Sequence, residues 1–157
     1  MRRLVLLATG LLCACPSIST TDGGSWTVGP EGTKGIAIDT SNGVAIDVPA
    51  GAVQTDTLIT VTRVEMGIPE VPGRKRISAG YRFSPSTLKL AVPMKLFLPW
   101  DEMRLVQGVD PGTYDMRRQT QTDPYLALPG SAANTLLKVV EAQTDKLGQP
   151  SWGPKPS

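Results

Sequence analysis

The chain has 157 residues but no histidine, and its only two cysteines, Cys13 and Cys15, stand near the start. Without histidine, most nucleophilic triads lose their base and most zinc sites lose a ligand. No G-x-G-x-x-G or P-loop pattern occurs, so the familiar phosphate cradles are missing as well. Aromatic residues make up only 5% of the chain, and a core must be filled by aliphatic side chains drawn from the 40% that is hydrophobic. No apolar run is long enough to span a bilayer as a helix. Glycine and proline are plentiful instead, at 16 and 14. With short alternating runs between them, they favour an all-β protein rich in turns over a helical one. The length suits one domain of ordinary size.

The first residues read as a processing signal. Arg2-Arg3 is a positive start, and Leu4 to Leu12 is a short apolar run. Leu12-Cys13-Ala14-Cys15 follows, and Leu-x-Ala-Cys resembles the lipobox of bacterial lipoproteins. The resemblance implies cleavage before Cys15 and lipidation of that cysteine, since small Ala14 precedes it while bulky Leu12 precedes Cys13. Cleavage removes Cys13 and lipidation consumes Cys15, so the mature chain is expected to hold no free thiol. Loss of Arg2 and Arg3 takes the 16 Lys and Arg to 14, equal to the 14 Asp and Glu. A global basic pull toward nucleic acid is then unsupported. Pro16 after the cysteine is not the Asp that often retains such lipoproteins in the inner membrane. The expected location is the bacterial envelope, at the outer membrane, periplasmic or surface-exposed.

The strongest structural signal lies between Gly35 and Ala52. Gly35-Ile36-Ala37-Ile38-Asp39 and Gly43-Val44-Ala45-Ile46-Asp47 are near copies of one alternating pattern, the mark of strands with one buried face. Ser41-Asn42-Gly43 between them is a turn signal. A two-residue loop would set Ile38 opposite Asp47 and mix the faces. A three-residue loop sets Ile38 opposite Ile46 and puts Asp39 with Asp47 on the wet side. That loop, with Gly43 left-handed, is the expected geometry. Pro49 ends the second strand.

Pro16 to Gly24 is small and polar, and reads as a flexible tether. Ser25 to Val28 opens the fold as a strand. Thr57 to Glu65 is rich in β-branched residues and predicts another, with Ile59 and Val61 on one face. Ala79 to Phe83 is a short strand before the turn Ser84-Pro85-Ser86. Leu88 to Trp100 carries Leu88, Leu90, Val92, Met94, Leu96 and Leu98 in one phase, a core strand that Pro93 could divide in two. Beyond it, short strands are expected at Leu105 to Val109, Tyr125 to Leu128 and Leu147 to Trp152, and an exposed one at Thr113 to Gln119. Asn134 to Gln143 reads as a strand with Leu137 and Val139 on one face. A helix over Leu136 to Lys146 stays open, because Leu136, Val140 and Leu147 are near helical spacing.

Gly43 to Ala52, GVAIDVPAGA, resembles the opening of the ZU-five domain, the β-sandwich of zonula occludens proteins, netrin receptors and ankyrins. Leu58 to Val64 and Phe83-Ser84-Pro85-Ser86 leading into Leu90 to Pro99 extend the likeness, which covers about Trp26 to Trp100. It implies an antiparallel sandwich that contacts other proteins. Some relatives cut themselves at a Phe-Ser bond aided by histidine. Phe83-Ser84 follows Arg82, sits at an internal turn and has no histidine to help it, so self-cleavage is not expected.

The expected organisation is a signal over 1–14, a tether over 15–24, a single immunoglobulin-like or ZU-five-like antiparallel β-sandwich over 25–152, and a frayed tail over 153–157. Asp101 and Glu102 on a strand would face opposite ways, a poor acid/base pair. Asp39 and Asp47 together would make a weak calcium cage. No cofactor or metal is therefore expected. The residue for lipidation is Cys15. Candidate contact residues are the basic run Arg74, Lys75 and Arg76, which suits anionic headgroups or glycan, and Trp26, Trp100 and Trp152, which could stack on sugars or simply pack. These features predict a lipid-anchored, non-catalytic module that binds an envelope protein or serves a structural role. The alternative is a glycan- or peptidoglycan-binding domain. An unusual hydrolase is the least favoured reading, and no nucleic-acid partner is expected.

Overall fold

The computed structural model describes residues 23–64, 76–119, 126–147 and 149–154. Cys15, Arg74, Lys75, most of the tether and the last three residues lie outside them. The described chain is mostly β, and its strands pair antiparallel, in the order β1 Gly23–Val28, β2 Ala37–Ile38, β3 Ala45–Asp47, β4 Thr57–Val64, β5 Gly80–Ser84, β6 Lys89–Pro99, β7 Tyr114–Gln119, β8 Leu126–Ala127, β9 Ala132–Asn134, β10 Val139–Lys146 and β11 Gln149–Pro154. They form three sheets, ordered β1-β4-β5, β2-β3-β6-β10-β9 and β11-β7-β8.

β6 is the longest strand and the middle of the largest sheet, paired with β3 on one edge and β10 on the other. Its Leu90, Met94, Leu96 and Leu98 are buried as their shared phase demands. Ile46 of β3 stands opposite Leu96, and Val140 of β10 opposite Leu98. Ile59, Val61 and Phe83 of the β1-β4-β5 sheet and Tyr114 and Met116 of β7 join the same hydrophobic cluster. All three sheets thus close over one aliphatic interior.

Pro93 does not divide β6. The ladder to β10 runs regularly to the Met94–Thr144 pair, then resumes at Lys89–Lys146. Leu90 to Pro93 therefore face Asp145 alone, in a bulge that asks no hydrogen bond of the proline. The bulge also turns Val92 out of the buried stripe, leaving it 40% exposed.

The β2–β3 hairpin corrects the expected register. Ala37 pairs with Ile46 and Ile38 with Ala45. The Asp39 amide donates to the Val44 carbonyl at 2.7 Å and the Gly43 amide to the Asp39 carbonyl at 2.9 Å, which closes a four-residue loop, Thr40 to Gly43. Two side chains hold it. Asp39 Oδ1 accepts from the Ser41 amide and hydroxyl, and Asn42 Oδ1 accepts from the Val44 amide. These local bonds outweigh the burial of two isoleucines: Ile36 and Ile38 are 56% and 63% exposed. Asp39 now shares the face of Val44 and Ile46, while Asp47 lies on the other, so no Asp39–Asp47 cage forms. Gly43 is left-handed as expected, with φ 72°.

The later third departs further from expectation. No strand forms over Leu105 to Val109. Asp101 caps a 3-10 turn, Glu102–Arg104, by accepting from the Met103 amide, and Asp110 caps a second, Pro111–Thr113, by accepting from the Gly112 amide. β7 is not exposed: Tyr114, Asp115 and Met116 are all buried. The Asp115 charge is tolerated there because Arg117, two residues along the same face, pairs with it at 2.7 Å. Asn134 to Gln143 is two strands with a turn between them. Leu137 lies in that turn, the inward face is Val140, Ala142 and Thr144, and no helix forms.

Two stability outcomes follow from this packing. Leu96→Ala should lower unfolding free energy by about 2–5 kcal/mol, because Leu96 is buried between two paired strands; a loss under about 1 kcal/mol in urea melts would contradict its place in the core. Gly43→Val should destabilise by about 1–2 kcal/mol or more through its positive φ alone, since the nearest atom to an added Cβ is Pro99 Cγ at an ordinary 3.4 Å. Gly43→Asn, which tolerates that region, should be much milder. Equal melting temperatures for the two variants would count against the left-handed turn.

Candidate functional site

An open cleft of about 490 Å³ lies at the end of β6. It exists because several elements finish at the same level. β6 delivers Pro99 and Trp100, and the β9–β10 turn lies beside them: the Trp100 amide donates to the Lys138 carbonyl at 3.1 Å. The Asp101 amide donates to the Ile77 carbonyl at 2.8 Å, drawing in the segment ahead of β5. Ser78 Oγ donates to the Pro99 carbonyl at 2.7 Å. The β4–β5 pair contributes Arg63 and Tyr81, which are register partners. Asn42 reaches the cleft from the β2–β3 loop.

The rim carries both signs of charge in close pairs. Lys138 Nζ is 2.7 Å from Glu102 Oε1, and Arg104 Nε is 3.1 Å from Asp101 Oδ2. Both pairs are solvent-exposed, so each is worth little to stability. Their effect is positional: Lys138–Glu102 ties the β9–β10 turn to the 3-10 turn, Arg104–Asp101 braces the 3-10 turn itself, and each pair holds its carboxylate against a cation. Beneath the rim, the Trp100 ring meets the Tyr114 ring edge-on, with centroids 6.4 Å apart and an interplanar angle of 64°. Asn42 Nδ2, Trp100 Nε1 and Tyr114 Oη are buried with no hydrogen-bond partner within the protein. Polar atoms left in this state are uncommon in folded proteins, and here three of them belong to the cleft lining or to the ring beneath it.

The contact residues expected from sequence are scattered by the fold. Trp100 lines the cleft and also packs against the core. Trp26 is half-buried in β1, opposite Ile59, and packs on the core away from the cleft. Trp152 stands in β11 opposite Met116. Arg76 is half-buried and leads into Ile77 and Ser78 at the cleft edge. Asp101 and Glu102 do not alternate on a strand: Asp101 caps the 3-10 turn that Glu102 begins. Phe83-Ser84 lies within β5, with Phe83 buried opposite Val61. Among the described residues no helix is long and apolar enough to cross a membrane, and no group of three or more Asp, Glu, Cys or His gathers as a metal site would require.

Sequence reasoning did not find Asn42, Arg63, Ser78, Tyr81 or Lys138. They come from separate parts of the chain, and only sheet closure joins them. One local signal pointed toward the turn that carries Lys138: Asn134 is a turn-favouring residue, and its Oδ1 accepts from the Leu137 amide.

No protein-family model matches this chain, and no curated protein matches its sequence. The site therefore has to be read from its own geometry.

Proposed function

We propose that the chain is a lipid-anchored, non-catalytic module of the bacterial envelope, tethered through Cys15, that binds an envelope protein through the cleft at the end of β6. The cleft carries this reading. It is open, sits on a paired antiparallel frame, and places paired charges of both signs beside half-buried aromatic surface, a composition suited to a polar protein contact. Its two carboxylates, Asp101 and Glu102, each hold a cation, which suits them to positioning rather than proton transfer. We also propose that the three sheets belong to a sandwich of the ZU-five type. The Pro49 to Ala52 turn after β3, β4 behind it, and Ser84-Pro85-Ser86 between β5 and β6 support that assignment.

The anchor is tested by expressing the full chain with a palmitate analogue. Wild type should carry the label and sediment with membranes. Cys15→Ser should lose the label and become soluble, whereas Cys13→Ser should behave as wild type. Label retained by Cys15→Ser would overturn the assignment of the lipid to that residue.

A glycan ligand is the second reading, favoured by Trp100 and Tyr81 lining one cleft with Asn42 and two carboxylates. Titrating peptidoglycan fragments should then shift tryptophan emission in wild type but not in Trp100→Phe. No shift in either protein would remove this reading and leave the protein contact.

A further inference from the structure

We propose that the end of the molecule carrying the β9–β10 turn rests on the bilayer surface, with Leu136, Leu137 and Met103 entering the headgroup boundary. The proposal rests on the anchor at Cys15 and adds an orientation to it: Met103 and Lys138 also line the cleft, so the envelope protein bound there is met at the membrane surface.

The first observation is that Met103 and Leu136, the two most exposed large apolar side chains among the described residues, stand at the same end as Leu137. Met103 is 96% exposed, Leu136 88% and Leu137 63%. Scattered exposed apolar residues are ordinary, but these three flank one ion pair in sequence: Met103 follows Glu102, and Leu136-Leu137 precede Lys138. Leu136 and Leu137 are at the tip of the β9–β10 turn, and the Lys138–Glu102 ion pair ties that tip to the 3-10 turn that bears Met103.

The second observation is where the tether leaves the fold. Gly23, the first residue of β1, pairs with Thr62, next to Arg63 of the cleft. A Cβ on Gly24 would strike the Asp39 carboxylate, at the root of the loop that sends Asn42 to the same cleft. β1 therefore begins at the end of the molecule where the leucines and Met103 project. Cys15 is eight residues before Gly23, a reach of at most about 28 Å. A lipid at Cys15 keeps this end within that reach of the surface, so the exposed apolar side chains here are the ones placed to meet it. The far end, where the Ala91 amide meets the Ala52 carbonyl, lies most of the length of β6 away, roughly 30 Å.

The rim charges are compatible with such contact. Asp101 and Glu102 are each paired with a cation, so neither presents an uncompensated charge to anionic lipid. Lys138 follows the two leucines directly, placed to stay at headgroup level while they enter.

The mature lipoprotein, free of other thiols, is prepared as Leu137→Cys and as Gln54→Cys, each labelled with an environment-sensitive dye. Both are reconstituted into vesicles of mixed phosphatidylethanolamine and phosphatidylglycerol containing spin-labelled lipid. Gln54 is exposed and lies near Ala52 at the far end. The dye replacing Leu137 should be quenched severalfold more strongly than the dye replacing Gln54, with a blue-shifted emission. Adding Leu136→Ser and Met103→Ser to the Leu137→Cys protein should bring its quenching down toward the Gln54→Cys value. Equal quenching at the two positions in protein that floats with the vesicles would overturn the orientation while leaving the anchor intact. Protein that does not float would overturn the anchor, and the orientation with it.

Discussion

The pairing of β6 with β3 and β10 is the constraint on which the remainder of this protein hangs. Met94, Leu96 and Leu98 are buried on a strand with neighbours on both edges, and each such side chain contributes roughly 1.5–3 kcal/mol when fully buried. Few aromatics are available, so this aliphatic stripe substitutes for the large rings that often fill a β interior. β6 also sets the two ends of the molecule. Its start meets the turn after β3 through the Ala91–Ala52 hydrogen bond, and its end meets the β9–β10 turn through Trp100 and Lys138. The cleft is a consequence of where β6 stops.

The three-stranded sheet around β7 is joined to this frame by polar contacts as well as by core packing. Arg118 Nη1 donates to Thr144 Oγ1 and to the Lys146 carbonyl, each at 3.1 Å, crossing from β7 to the end of β10. Thr144 is buried and also donates to the Lys146 carbonyl at 2.6 Å. Buried polar groups need such partners, and once satisfied they fix relative position more sharply than apolar contact does. At the opposite end of β7, Tyr114 packs edge-on against Trp100. The strand that sequence pattern marked as exposed is thereby held at both ends.

The hairpin of β2 and β3 shows how a phase argument can select the wrong loop. Matching isoleucine to isoleucine favoured three residues in the loop. Asp39 and Asn42, whose side chains bond the backbone locally, selected four and left Ile36 and Ile38 in solvent. The same kind of local competition removed a strand after Trp100, where Asp101 and Asp110 cap tight turns. Both departures have one origin: alternation of apolar residues registers burial, whereas short polar side chains act on backbone amides within a few positions.

Sequence alone determined the β character, the aliphatic core strand with Met94, Leu96 and Leu98, the buried pair Ile59 and Val61, and the left-handed turn at Gly43. Each of these depends on neighbours along the chain, through period-two alternation, β-branching or backbone freedom. Tertiary structure alone decided the bulge that carries Pro93, the burial of Tyr114 and Asp115, and the assembly of Asn42, Arg63, Tyr81, Trp100 and Lys138 around one cleft. Those depend on which strand edges meet and at what register, and register between distant strands is set when the whole interior closes, not by any single run of residues.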